Sequence, residues 1–571
     1  MLRDMKFATA ILTATCLAVT LSWVHAQTTL PPADVTISGV GTDTDFGWQV
    51  APAGDVNGDG VTDLVVGDPS NSSVAQFAGR AYLFLGPLTE NIDTSKAVAS
   101  ISAEAFGDNL GFSVASAGDV NGDGIGDIIV GARSNDTNGI QSGRVYLFYG
   151  PVSGSLSATS ADAIIFGADF NEVGRAVAPA GDLNGDGFGD IILGTDIAGI
   201  GSRGQVFIFN GPLSGQRSVT TADATITGSF DNESFGASVA MAGDVNGDGI
   251  NDVIVGAPRF PLNGVDTGRA YVFYGPISGS LIATQADVTI FGENLNDGFG
   301  RSVAAGNDIN GDGVADVIVG ADQLFAGTGA GKAYVFYGPL SGDIQAATAN
   351  AILTGEVDRD LFGASVTSVG DFNGDGFSDV TVGASENHSR SGRTYTFFGP
   401  LSGTISAADA DSIVTGSSLD QLGFSVAGGD FNGDGGPDLV IGAPQFATGA
   451  HGYAAIFFGS ATQPLTSLTL TPRGNPIIIP PTGGSFRFRM DLTNLASNSR
   501  TIDIAVTLTG PGTQRSIAQF SSTLDGGESR ERIFTTKIPG RAQPGTYTVT
   551  ATASVSQHIE ANDSFDLEKA R

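Results

Sequence analysis

Short apolar runs recur along most of the chain, each preceded by a turn rich in acidic residues and glycine. The pattern is clearest in GDVNGDGINDVIVGAP, residues 243–258. There Val253, Ile254 and Val255 form a continuous apolar run stopped by Gly256 and Pro258, which reads as a strand buried on both faces. Around it the fourth copy shows four strand-like pieces: GASVAMAG after Phe235, DVIVGAP (252–258), GRAYVFYGP (268–276) and ADVTI (286–290). The same order repeats through residues 33–460, with Gly-Pro after the third piece at Gly86, Gly150, Gly211, Gly275, Gly338 and Gly399. A fixed period of this length governs the whole reading. Four antiparallel strands per unit, repeated radially, predict an all-β, seven-bladed β-propeller. A solenoid is the competing repeat fold, but it calls for distinct polar caps at both ends, and the sequence has none.

The acidic turns begin at Asp55, Asp119, Asp182, Asp244, Asp308, Asp371 and Asp430, spaced 64, 63, 62, 64, 63 and 59 residues apart. Every copy has Asp at positions 1, 5 and 9, Asn at position 3 and Gly at positions 4 and 6. Oxygen donors at positions 1, 3, 5 and 9, with a backbone carbonyl at position 7, are the ligand spacing of a Ca²⁺ loop. The candidate metal ligands are therefore Asp55, Asn57, Asp59, Val61 and Asp63, then Asp119, Asn121, Asp123, Ile125 and Asp127. The third and fourth sets are Asp182, Asn184, Asp186, Phe188 and Asp190, and Asp244, Asn246, Asp248, Ile250 and Asp252. The fifth and sixth are Asp308, Asn310, Asp312, Val314 and Asp316, and Asp371, Asn373, Asp375, Phe377 and Asp379. The seventh is Asp430, Asn432, Asp434, Gly436 and Asp438. For a single copy, Asn-Gly and Asp-Gly would read equally well as a hairpin turn. Seven identical oxygen sets favour calcium, up to seven ions. An EF-hand is excluded because position 12, which needs a bidentate Glu, is apolar in every copy, as at Val255.

The Phe-Gly openings (Phe46-Gly47, Phe235-Gly236, Phe299-Gly300, Phe362-Gly363) and the Gly-Ala-Pro closings (Gly256-Ala257-Pro258, Gly442-Ala443-Pro444) resemble FG-GAP repeats. Those repeats form the seven-bladed propeller of integrin α subunits and of many bacterial secreted proteins. The resemblance covers about three-quarters of the chain. It implies an extracellular binding or adhesion module. In integrins some blades carry the calcium loop; here all seven do.

Residues 1–26 read as a secretory signal, with Arg3 and Lys6 ahead of an apolar run and a cleavage site at Val24-His25-Ala26. An uncleaved anchor is the alternative, the run being near the lower length for spanning a bilayer. The one cysteine, Cys16, lies in this segment, so the mature chain holds no disulfide. Without residues 1–26 the chain carries 25 basic and 59 acidic residues, a net charge of −34, of which the loops supply 21 acids. That balance argues against nucleic acid and anionic membranes as partners. The expected location is extracellular, at the cell surface or, alternatively, in the periplasm, with no transmembrane helix after the signal.

Residues 461–466 read as a linker. Residues 467–571 contain about seven alternating segments, among them SFRFRMDLT (485–493) and GTYTVTATASV (545–555). PGTYTVTA resembles the late strands of bacterial immunoglobulin-like domains, which implies a β-sandwich.

Catalytic chemistry finds no support. The glycine-rich stretch Gly327–Lys332 lacks the Ser or Thr of a phosphate loop and leads into a strand, with Lys332 at the station of Arg80, Arg144, Arg269 and Arg393. There is no G-x-S-x-G, and His388, His451 and His558 lie far apart. The reading is a non-enzymatic binding module for an extracellular protein or glycan. The alternative is a lectin or polysaccharide-active enzyme on the same propeller.

Two expectations concern the ring. The seventh unit ends at Gly459 without a fourth strand, so Ala33–Gly39 should complete it beside residues 454–458. Meander connectivity puts the acidic loops and Gly-Pro turns at one end of the blades. The variable loops would then carry the ligand at the other, through Phe77, Phe260, Phe325 and Phe446. Acids of the blade-to-blade loops (Asp43, Asp108, Asp231, Asp297, Asp360) would select a basic or cation-bridged partner.

Overall fold

The computed structural model describes residues 28–29, 32–41, 45–198, 202–259, 261–262, 265–323, 329–445, 451–460, 466–472, 478–494, 500–511, 513–524, 529–539, 541–555 and 558–570. The signal segment, Asp43, Phe260, Phe325 and Phe446 lie outside the described residues.

Residues 35–457 form seven blades. In the second, Leu110–Gly118, Asp127–Ala132, Arg144–Phe148 and Ala163–Phe166 pair antiparallel in chain order. The first strands of successive blades pack against one another around the axis, the first blade's closing onto the seventh's. All six residues of each second strand are buried, as in Asp252–Ala257, because a blade is covered on both faces by its neighbours.

Each blade has five strands, where the sequence indicates four. The fifth is lent by the next unit: Gly154–Ser157 lies parallel to Ala99–Ser102 of the first blade, and Gly215–Ser218 to Ala163–Phe166 of the second. These segments follow the Gly-Pro turns and are exposed or half-buried. They are held by backbone pairing at an otherwise open edge, with one inward apolar residue at four of them, Leu156, Leu281, Ile344 and Ile405; a single apolar position in four residues is too weak a pattern to mark a strand.

The ring closes as expected. Val35–Ser38 pairs antiparallel with Tyr453–Phe457, with Val35 and Ile37 fully buried. The same N-terminal stretch closes a second gap. The seventh unit has no segment to lend to the sixth blade, and Thr28–Thr29 takes that place, parallel to Ser412 and Ile413.

The repeat motif itself is an inter-blade joint. A Cβ on Gly131, the closing glycine of the second blade, would sit 2.2 Å from the carbonyl oxygen of Gly174, the opening glycine of the third. Gly174 in turn has a φ of +91°, open to glycine but strained for other residues. The same glycine-to-glycine approach, 2.0–2.3 Å, recurs at all seven seams.

The C-terminal region holds two sheets. Thr466–Pro472, Gly483–Asn494 and Ser529–Pro539 form one; Ile478–Ile479, His558–Lys569, Gly545–Val555, Arg500–Gly510 and Thr513–Leu524 form the other. They share one buried core, with Phe488, Met490, Ile504, Val506 and Tyr547 at its centre. Among the described residues no helix is long and apolar enough to cross a membrane.

Candidate metal centres and the opposite face

Every candidate ligand falls on the turn joining the first and second strands of its blade or, at position 9, on the first residue of the second strand. In the fourth copy Asp244 Oδ1 accepts the N–H groups of Gly247 at 2.7 Å and Asp248 at 3.0 Å, and its Oδ2 accepts that of Gly249 at 2.7 Å. Asn246 Oδ1 accepts the Asp248 N–H at 2.8 Å, and Asp248 Oδ1 that of Ile250 at 2.9 Å. The first, second, third, fifth and seventh loops repeat this pattern, which nests three side chains on the turn's own backbone.

Position 9 differs. Asp252 is fully buried; its Oδ2 accepts the Val245 N–H at 3.0 Å and its Oδ1 that of Gly275, in the Gly-Pro turn, also at 3.0 Å. The equivalent bond to the turn after the third strand, 2.8–3.1 Å, is present in all seven blades. Acidic loops and Gly-Pro turns therefore share one end of the blades. The loops are also chained: the N–H at position 8 donates to the position-1 carbonyl of the preceding loop at Gly126, Gly189, Ala315, Ser378 and Thr62. The seventh loop has Pro437 there and no N–H to give.

These bonds give position 9 a structural purpose that spacing alone did not reveal; its signal is the Gly-Pro turn recurring in step with the loops. They do not neutralise the charge. Burial, reinforced by Asp248 and Asp244, pushes Asp252 up to about 6. The same causes put Asp63, Asp127 and Asp190 at about 6 and Asp316 at about 7. Burial also raises Asp438 to about 7 and Asp379 to about 8. Among the described residues no loop carboxylate is ion-paired with Lys or Arg. Nor do three His, Cys, Asp or Glu side chains converge closely enough there to form a metal cage by themselves. The donor set fits a hard divalent cation: hard oxygens only, in excess negative charge, with a lone pair left on Asp244 Oδ2 and on the carboxylate oxygens of Asp248 and Asp252 beyond the N–H each accepts.

The other end of the blades carries the second-to-third and blade-to-blade loops, tied together by bonds such as Gly107 N–H to Gln76 O and Glu172 N–H to Gln141 O. Phe77 is exposed there. The acids are not the charged surface that the sequence indicates. Asp108, Asp297 and Asp360 are buried and accept backbone N–H groups of their own loops, from Ala105, Asn294 and Val357. Asp231 is exposed but paired with Arg203 at 2.8 Å. What these loops present is apolar: Phe106, Phe170, Phe230, Leu295, Val357 and Leu419, one per loop, are 37–66% exposed.

Nearer the axis, the residues following the opening glycines bring three aromatic rings together. Trp48 lies 5.4 Å from Phe112 and 4.6 Å from Phe424, and the Arg133 guanidinium sits 3.9 Å over Phe112. Sequence reading missed this cluster, although the station after Phe-Gly varies between aromatic, basic and small residues: Trp48, Phe112, Arg175, Ala237, Arg301, Ala364 and Phe424.

The FG-GAP repeat family matches residues 46–84, 110–148, 173–209, 235–273, 299–336, 362–397 and 422–455, one match per blade. Integrin alpha-5 of Xenopus laevis is 32% identical over 261 residues, 44% of this chain and 22% of that one. Integrin alpha-V of Gallus gallus is 32% identical over 236 residues, 40% of this chain and 21% of that one. The chain thus spans about a fifth of the length of these relatives. A solved β-glucosidase from Listeria innocua, in complex with glucose, overlaps 20% of this chain and 17% of its own at 16% identity, with a TM-score of 0.15. With one repeat in each of its seven blades, the chain is an integrin-α-like FG-GAP repeat protein.

Proposed function

We propose that this protein is an extracellular, calcium-stabilised binding or adhesion module that holds a protein or glycan on the face opposite its acidic loops. The observation that carries the reading is the contrast between the two ends of the ring. One end repeats a near-identical acidic turn seven times and offers a partner little to distinguish. The other presents an exposed apolar side chain on six successive blade-to-blade loops, around the aromatic cluster of Trp48, Phe112 and Phe424. Monomers seldom leave such apolar positions clustered on one face without a partner to cover them.

In this reading the Asp, Asn and position-7 carbonyl oxygens of each loop hold one Ca²⁺, which neutralises the carboxylates and supplies no chemistry. The similarity to integrin α chains supports a binding role over an enzymatic one. The lectin alternative rests on the aromatic cluster, whose rings offer stacking faces to a sugar.

The test is a calcium-dependent pull-down of secreted partners, with a triple Phe106→Ser, Phe170→Ser, Phe230→Ser variant alongside. Partner capture should fall at least tenfold while calcium content and melting temperature stay at parental values. Capture that survives the triple change, yet disappears on removal of residues 467–571 or on mutation of the acidic turns, would overturn the assignment. A glycan array run on both proteins separates lectin from protein binder.

A further inference from the structure

Seven copies of one backbone allow the same station to be compared in every blade. The third residue of the third strand is Tyr82, Tyr146, Phe207, Tyr271, Tyr334 and Tyr395 in the first six blades, each opposite the second residue of the fourth strand. All six rings are buried. In the seventh blade the station is Ala455, opposite Thr36.

A second station changes with it. The first residue of the strand is Arg or Lys in five blades. It reaches a glutamate of the preceding blade at three seams: Arg144 to Glu104 at 2.8 Å, Lys332 to Glu293 at 2.5 Å and Arg393 to Glu356 at 2.7 Å. In the seventh blade it is Tyr453. The seam between the sixth and seventh blades thus lacks both the aromatic ring and the cation found at those other seams.

A cavity of about 640 Å³ occupies this seam. Ala455, Ile413, Leu422 and Phe457 give it an apolar wall, and Pro32 and Ala33 of the closing N-terminal segment form another side. Its polar end is Asp420. Asp420 Oδ2 accepts the Tyr453 hydroxyl at 2.9 Å and the Ser417 N–H at 2.7 Å, and its Oδ1 accepts Gln445 Nε2 at 2.7 Å. Every one of these donors is neutral, no Lys or Arg is among the described lining residues, and Oδ1 keeps a second lone pair. The volume is in the range of small-molecule sites, about 300–1,000 Å³.

We propose that this seam binds a small aromatic amine. Its ring takes the space that a tyrosine side chain fills elsewhere, against Ala455, Ile413 and Leu422. Its ammonium group meets Asp420, which stands at the station of Asp108, Asp297 and Asp360; the station of Glu104, Glu293 and Glu356, the acids that Arg or Lys meets elsewhere, is Ser417 here, so Asp420 is the carboxylate this seam offers a cation. The site is separate from the acidic loops; its polar end lies on the blade-to-blade loop that also carries Leu419, but binding there does not depend on the function proposed above.

Titration calorimetry with tyramine and, as the neutral counterpart with the same ring, p-cresol tests it on the full-length protein. Tyramine should bind at least tenfold more tightly than p-cresol and raise the melting temperature. Asp420→Asn should erase the difference between the two. Ala455→Tyr should abolish binding of both while holding or raising the melting temperature, and Ala455→Leu, a smaller fill, should weaken binding if the tyrosine variant fails to fold. Absence of tyramine binding to the parent protein at millimolar concentration overturns the proposal. So does unchanged affinity in Asp420→Asn or in the folded Ala455 variant.

Discussion

Closure of the ring places the stability of seven blades on a short N-terminal segment, and removing residues 27–40 measures how much. The loss can be worked from the structure. Val35 and Ile37 are fully buried against the seventh blade, and burial of such side chains contributes about 1.5–3 kcal/mol each. The deletion therefore forfeits about 3–6 kcal/mol before Ala454 and Ile456 lose their cover. It also removes the bonds from Asp34 N–H to Ile456 O at 3.0 Å and from Gly39 N–H to Gly452 O at 2.8 Å, and bares both blade edges. Against a typical domain stability of about 5–15 kcal/mol this is much of the margin. The assay is built in. Trp23 and Trp48 are the two tryptophans, and after removal of residues 1–26 only Trp48 remains, packed on Phe424 of the seventh blade. Its fluorescence in a urea titration reports directly on the closing seam. The deletion should shift the midpoint strongly downward, and Ile37→Ala should lower the unfolding free energy by about 2–5 kcal/mol. A deletion variant with the midpoint and slope of the parent would refute closure by the N-terminus.

Chelation by EDTA should lower the melting temperature sharply, and Asp248→Ala should remove one bound ion by elemental analysis; an unchanged melt in EDTA would sink the calcium reading. Metal-free protein should show an inverted pH dependence. The position-9 carboxylates titrate higher when folded than unfolded, as Asp252 does at about 6, so the folded form binds more protons and stability rises as pH falls from about 7 to about 4. Calcium requires these acids ionised, so the loaded protein should lose stability over the same window, and parallel trends in the two states would contradict the assignment. Gly256→Ala should cost about 1–3 kcal/mol or more, because its Cβ would lie 2.0 Å from the Gly300 carbonyl oxygen. Gly300→Ala adds a positive φ of +87° to a 2.2 Å approach to Arg269 O, and should be worse; full stability in either would refute the role of these glycines in closing the seams.

Much of this architecture was legible because strands buried on both faces write themselves as apolar runs. Val253–Val255 and its equivalents needed no further signal. Closure was legible for a related reason: a unit that ended at Gly459 without its last strand pointed to a spare copy elsewhere. The fifth strand was not, because Gly154–Ser157 is held mainly by backbone bonds and turns only Leu156 inward. The far face was misread in a specific way. Asp108, Asp297 and Asp360 sit among polar and glycine residues and look like surface acids, yet each folds back to cap its own turn. Phe106 and Phe170, which composition would bury, stand outside. Local carboxylate-to-backbone bonding competes with exposure, and sequence spacing does not show which wins.

Where one copy departs from an otherwise uniform ring, the departure carries a thermodynamic consequence. Truncating a buried aromatic to alanine costs about 3–5 kcal/mol when the surroundings cannot collapse. At Ala455 they do not collapse: the neighbouring strands are fixed in the same register as the other six blades, and the cavity persists. Its polar end can be hydrated through Asp420, but the surfaces of Ile413 and Leu422 gain little from water. A ligand with an apolar body recovers that loss on binding, and an ammonium head adds a charge that no described Lys or Arg of the lining supplies, His451 being the one other nitrogen base among the described lining residues. Binding of this kind stabilises the folded state in proportion to the logarithm of ligand concentration. The melting temperature of the parent protein should therefore climb steadily with tyramine above its dissociation constant, whereas that of a folded Ala455→Tyr variant, with the cavity already filled from within, should stay flat.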